Sequence, residues 1–153
     1  MAVLKQEFEL PAEGSHRAVF VDFRELGLLP SKWGEKPTVD LVFELEEEDS
    51  QGHRFIIHRK CNRSLSSKPI KSNLVKILEV LIGREWTLED KYAGVETDEL
   101  LGRPCNVEVI HNIGSAGGKF ANVKEITEPG DNSSVIGRRD YERGKDGDDD
   151  DND

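Results

Sequence analysis

Cysteine is scarce in this chain: Cys61 and Cys105 are the only two among 153 residues. Two thiols cannot make the disulfide framework that staples small secreted domains, so reduced thiols are expected. Long apolar runs are also missing. No stretch approaches the ~20 residues needed to cross a bilayer, and the first residues lack the basic stretch, apolar block and cleavage site of a secretory signal. The expectation is a cytoplasmic protein with no membrane partner. Recognisable catalytic patterns are absent too: acidic residues cluster, but no Ser-His-Asp, Cys-His or metal-carboxylate arrangement accompanies them. No active site is assigned, and the chain reads as a binding protein, not an enzyme.

What is present suffices for one folded unit, since 35% of the residues are apolar and the length fits a single domain with one modest core. The net charge of −10 argues at first against a polyanionic partner. That average misleads, because charge is segregated. Of 31 acidic residues, six lie in the last eight positions: Asp146, Asp148, Asp149, Asp150, Asp151 and Asp153. Residues 50–78 hold seven basic residues (Arg54, Arg59, Lys60, Arg63, Lys68, Lys71 and Lys76) and no acidic one.

Hydrophobic patterning gives the order of elements. Ala18, Val19, Phe20, Val21 and Phe23 form a β-branched and aromatic run within residues 14–25, the first strand. Gly27, Pro30, Gly34 and Pro37 then punctuate a loop. Val39, Leu41, Phe43 and Leu45 alternate with Thr38, Asp40, Val42 and Glu44, which is a second strand with period two. Asp49, Ser50, Gln51 and Gly52 turn the chain into a third strand at residues 53–61, centred on Phe55, Ile56 and Ile57.

Ser72 can cap a helix whose apolar residues Leu74, Val75, Ile77, Leu78, Leu81 and Ile82 share one face, with Gly83 ending it. Thr87 with Asp90, and Thr97 before Asp98, suit two short further turns. Strands at residues 104–111 and 119–127 close the body, joined by a glycine-rich connection containing Gly114, Gly117 and Gly118. Three strands, a helix and two strands match the all-β class with one main helix, a five-stranded OB-fold barrel with the helix between strands 3 and 4. A split sheet with one helix fits the same order. Composition shifts after Thr127, so the domain is placed at residues 1–128 and a disordered acidic tail at 129–153, where Val135, Ile136 and Tyr141 are the only sizeable apolar residues and mobility is expected.

The basic segment falls on the third strand and the connection after it. Arg54, His58 and Lys60 alternate with Phe55 and Arg59, and Arg63, Lys68 and Lys71 continue the track among Ser64, Ser66 and Ser67. Such a track suits a polyphosphate, because each neutralised phosphate releases a condensed counterion whatever the base. The bland alternative pairs these cations with Glu44, Glu46, Glu47 and Glu48 across the hairpin. Base stacking needs aromatic platforms. Trp33, between Lys32 and Lys36 in the punctuated loop, is the best candidate, against the alternative that it lids the barrel. Phe55, and Phe120 beside Lys119, read first as core and second as platforms; Trp86 reads as packing.

The glycine-rich connection lacks the context of a P-loop and reads as a flexible finger. His58, Cys61, Cys105 and His111 contain only half of a zinc pattern, so no metal or other cofactor is expected. A flexible coil of about 25 residues spans ~25 to 30 Å, so the acidic tail can reach a groove on its own domain and compete with DNA there.

Three segments in this order resemble bacteriophage single-stranded DNA-binding proteins: residues 73–83 (Asn-Leu-Val-Lys-Ile-Leu-Glu-Val-Leu-Ile-Gly), 100–109 (Leu-Leu-Gly-Arg-Pro-Cys-Asn-Val-Glu-Val) and 118–126 (Gly-Lys-Phe-Ala-Asn-Val-Lys-Glu-Ile). The resemblance implies an OB-fold that coats and protects single-stranded DNA during phage replication and recombination, in the host bacterial cytoplasm. It also implies an acidic C-terminus contacting replication or recombination proteins, with a monomer or weak dimer favoured. The ending departs from the pattern, since many relatives finish in an apolar tip that docks on partners and this chain finishes Asp151-Asn152-Asp153. The rival expectation is an OB-fold interaction module, an accessory or host-inhibitor factor whose basic face binds an acidic protein.

Overall fold

The computed structural model of the chain describes residues 9–130 and Tyr141. Five antiparallel strands, β1 (Gly14–Ser31), β2 (Gly34–Glu48), β3 (Arg54–Asn62), β4 (Pro104–Ile113) and β5 (Lys119–Thr127), form one sheet in the order β3-β2-β1-β4-β5. Between β3 and β4 run helix α1 (Asn73–Ile82), helix α2 (Leu88–Ala93) and a single 3₁₀ turn, Thr97–Leu100. The protein is therefore mainly β, with two short helices. β3 and β5 are the edges of this order, and they approach each other without a shared ladder.

β1 is long because it serves two partners. Its first residues pair with β4, from Gly14 opposite Val109 to Val19 opposite Pro104, while Ala18 onward pairs with β2. Register shifts between Phe20 and Asp22 and between Glu25 and Gly27 break the β1–β2 ladder. Such bulges bend a strand and increase its twist, which lets one strand border two others.

The expected loop after Glu25 is a two-stranded arm. Leu28 pairs with Pro37, Pro30 with Glu35 and Ser31 with Gly34, and Trp33 stands at the tip. Proline is tolerated there because, among the described residues, β1 beyond Val19 and β2 before Thr38 have no second strand partner, so the missing N–H leaves no ladder bond unmade.

The core lies between the concave side of the sheet and α1. Ala18, Phe20, Val39, Leu41, Phe43, Leu45, Ile57, Val107 and Val109 meet Leu74, Val75, Ile77, Leu78 and Leu81 of the helix, with Trp86 and Leu100 at its border. Phe20 and Phe43 are cross-strand partners with ring centroids 5.6 Å apart. Each fully buried aliphatic side chain of α1 contributes about 1.5 to 3 kcal/mol by area. Ser72 caps the helix by accepting from the Val75 N–H, and Gly83 ends it at φ 87°, a conformation that favours glycine. α2 is held differently: the Thr87–Asp90 capping box fixes its start, and none of its residues is buried.

β2 departs from the expected half-exposed pattern, since every residue from Val39 to Leu45 is buried. Its convex-side residues Asp40, Val42 and Glu44 are covered as well. Val42 packs with Val19, Val21, Ile56 and Tyr141. Tyr141 is thus docked on the domain, where free motion with the tail was expected; Val135, Ile136 and the six tail aspartates lie outside the described residues.

Candidate nucleic-acid interface

The two sheet edges flank a groove of about 830 Å³. β3 lines it with Phe55, Ile56, Ile57, His58, Arg59 and Lys60, and β5 lines it with Lys119, Phe120, Ala121, Asn122 and Val123. Glu9, Leu10 and Pro11 complete the wall. Residues some sixty positions apart in the chain therefore share one concavity because β3 and β5 are the unpaired ends of the same sheet.

The groove's cations are unequal. Lys60 and Lys119 are exposed and form no ion pair among the described residues. Arg59 is half-buried and donates from Nη1 to the Lys60 carbonyl at 2.7 Å, which turns its guanidinium along the strand. Its surroundings continue past α1 into a smaller pocket with Lys76 and Lys124. His58 donates from Nδ1 to Asp40 Oδ2 at 2.7 Å. Glu9 faces the same space, but its carboxylate accepts from the Ser50 N–H and hydroxyl.

Phe120 is 55% exposed, so it is a surface ring and not core. Its place is set by a glycine: a Cβ on Gly114 would stand 2.3 Å from Phe120 Cε2. Only a residue without a side chain leaves that space to the ring. The connection carrying Gly114 is closed as a turn by Gly114 N–H to Gly118 carbonyl at 2.8 Å and Gly117 N–H to Gly114 carbonyl at 2.9 Å. Phe55 is partly buried against the core and presents the rest of its ring to the groove.

Trp33 stands apart at the tip of the β1–β2 arm and is 76% exposed. It does not lid the sheet. Lys32 Nζ lies 5.4 Å from its ring centroid, a cation over an aromatic face. Lys36 is half-buried on the returning strand of the same arm.

The remaining cations expected at the interface are placed elsewhere. Arg54 is 8% exposed, and its Nη1 donates to the fully buried Glu44 at 3.3 Å, so it offers nothing to a phosphate. Arg63 pairs with Glu25 and Lys71 with Glu79 at 2.7 Å and Glu85 at 3.7 Å. Lys68 is exposed on the connection before α1. Cross-strand pairing with Glu44 thus holds for Arg54, while Arg63 and Lys71 meet carboxylates outside that hairpin. The structure brings together Phe55, His58, Arg59, Lys60, Lys119 and Phe120, and leaves Lys32, Trp33 and Lys36 as a separate arm.

Away from the groove, local geometry sets several titrating groups. The Lys71 ammonium, then the Trp86 N–H, hold the Glu79 carboxyl below its ordinary range, and Glu79 in turn raises Lys71. Burial pushes the Cys105 thiol up to about 12 and raises Cys61 as well. Both cysteines are buried and unbridged. His111 Nε2 donates to the Pro11 carbonyl at 2.7 Å, and among the described residues no group of three His, Cys, Asp or Glu side chains gathers as a metal site.

Sequence reasoning missed the Glu9-Leu10-Pro11 wall, for which no periodicity or motif signals a role. Comparison with protein-family models and with curated protein sequences finds no match for this chain. No helix among the described residues is long and apolar enough to cross a membrane.

Proposed function

We propose that this chain binds single-stranded DNA with little base preference, using the groove between β3 and β5 and the Trp33 arm beside the sheet. The observation that carries the reading is the meeting, in one groove, of two exposed lysines, an arginine and a surface phenylalanine whose place a glycine reserves. Lysines neutralise phosphates with counterion release, and an aromatic face stacks on any base. The strand order and the long β1 shared by β2 and β4 support the finer assignment to an OB-fold, in which the second and third strands and the first-second and fourth-fifth connections contact the ligand. Trp33 and Phe120 belong to those two connections or their borders.

On this reading the protein coats unwound DNA, and its aspartate-rich end competes with DNA for the cationic groove. With Arg54, Arg63 and Lys71 paired to carboxylates, the cations at the groove itself are Arg59, Lys60 and Lys119, with the arm lysines, Lys68 and Lys76 outside it. The site is correspondingly small and its affinity depends on stacking as much as on charge.

Titration with oligo-dT at low salt tests the proposal. Quenching of tryptophan fluorescence, weakened by added salt and strengthened by deleting the residues after Gly144, is the expected result. No binding to oligo-dT, with binding to polyglutamate instead, would overturn it in favour of an interaction module for acidic proteins. DNA left uncut in the presence of magnesium is expected of a binding protein, and cleavage would show a nuclease.

A further inference from the structure

Tyr141 is separated by ten residues from the rest of the described chain, yet it has two exact acceptors on the domain. Its backbone N–H donates to Glu44 Oε1 and its hydroxyl to Asp22 Oδ2, both at 2.8 Å. Both carboxylates are prepared for it. Glu44 is fully buried and its other oxygen accepts from Arg54, while Asp22, 3% exposed, uses its other oxygen to accept from the Phe23 N–H. Tyr141 packs against Val19, Val21 and Val42, as Ile56 does from β3. The register shift at Val21 creates this arrangement, because it lets Val21 contribute to the apolar floor while Asp22 faces the same occupant.

We infer that the convex side of β1, β2 and β3 is a tyrosine-receiving site, filled by the chain's own Tyr141, which anchors the C-terminal segment to the domain. Two acceptors spaced to meet the backbone N–H and the hydroxyl of the same residue read the length of the side chain as well as its polarity. Phenylalanine keeps the apolar contact and leaves Asp22 without this donor, which for a hydrogen bond to a charged group weakens docking roughly tenfold or more.

The anchor has a consequence that rests on the DNA-binding reading. Ile56 packs against the same three valines as Tyr141 and also lines the β3–β5 groove, so the anchor and the groove border one apolar cluster. Seven positions separate Tyr141 from Asp148, against eighteen from Gly130. Effective concentration falls with roughly the −3/2 power of tether length, so docking raises that of the aspartates at the groove about fourfold.

The test uses the full chain with Tyr141→Phe and Tyr141→Ala. Hydrogen exchange and methyl spectra decide the anchor: a protected Tyr141 amide, protection lowered in Tyr141→Phe, and shifted Val19, Val21 and Val42 methyl signals in Tyr141→Ala are expected. A Tyr141 amide exchanging at the coil rate, or unmoved methyl signals in a folded Tyr141→Ala, would overturn it. Should the alanine variant unfold, amide exchange in Tyr141→Phe, which keeps the ring and loses the hydroxyl, decides the anchor: lowered protection supports it and unchanged protection overturns it. Oligo-dT affinity then reads the consequence: about fourfold tighter binding in Tyr141→Ala with every aspartate retained is expected, and unchanged affinity would refute the coupling. A chain that binds no oligonucleotide would remove the proposed function while the exchange and methyl results still decide the anchor.

Discussion

Phe120 occupies the space that a side chain on Gly114 would fill, with Cε2 of the ring 2.3 Å from where that Cβ would sit. A glycine in the β4–β5 turn thereby sets the position of an aromatic ring on the groove wall. Gly114→Ala forces the ring to move. Because Phe120 is exposed and at the end of β5, the displacement spares the core, and the variant is expected to melt near wild type while losing oligonucleotide affinity. Phe120→Ala, which removes the ring, sets the scale at about 1 to 3 kcal/mol. Parallel melting curves and oligo-dT titrations check both, and full affinity in Gly114→Ala would show that the ring's position is immaterial.

Trp33 and Trp86 give the fluorescence titration an internal control, since Trp33 is 76% exposed and Trp86 is 6% exposed. Quenching by DNA is expected to come from Trp33 alone. Trp33→Phe should abolish most of the signal change with modest loss of affinity, and Trp33→Ala should weaken binding by about 1 to 3 kcal/mol. Quenching that survives both substitutions would assign it to Trp86 and count against the arm.

Much of the fold was legible because its signals are local. Ser72 and Gly83 bound α1 by capping chemistry that needs no tertiary information, and residues 119–127 read correctly as a strand. The arm was not legible, because Gly27, Pro30, Gly34 and Pro37 break strands inside a sheet and are harmless where, among the described residues, no further strand pairs alongside. Nor was the burial of Asp40 and Glu44. Their coverage depends on His58, Arg54 and Tyr141, which come from 10 to 97 positions away, and period two cannot report a distant partner. The same limit applies to the basic track: counting cations along residues 50–78 located charge, but only cross-strand and helix contacts decide that Arg54, Arg63 and Lys71 are spent and Lys60 is not.

Acid sensitivity follows from Glu79. Its folded pKa is depressed below 4.5, first by the Lys71 ammonium and then by the Trp86 N–H. The sign is that of a carboxylate protonating more readily when unfolded: its stabilisation is present above pH 4.5 and is lost as the pH falls through the folded value. Asp90, held well below 3.8 first by Arg84, extends the loss to lower pH. Thermal melts from pH 6 down to 2 should therefore show a falling Tm, with a shallower fall in Glu79→Gln. An unchanged profile in that variant would mean that the Lys71–Glu79 pair forms equally in the unfolded chain.

Thiol reactivity separates the two cysteines from solvent. Burial raises both, Cys105 to about 12, so the thiolate that attacks alkylating reagents is scarce at neutral pH. The native protein is expected to resist thiol labelling at pH 8 and to label at both positions once denatured. Fast labelling of Cys105 in the native state would contradict its place in the core.

The dependence of oligo-dT affinity on salt, in the wild type and in Lys60→Ala/Lys119→Ala, tests whether the two groove lysines hold the DNA backbone. Each phosphate contact on single-stranded DNA contributes about −0.7 to the slope of log affinity against log salt. Loss of two such contacts predicts a slope shallower by about 1.4, with weaker binding at every salt concentration. An identical slope in the double variant would contradict a groove in which Lys60 and Lys119 hold the DNA backbone.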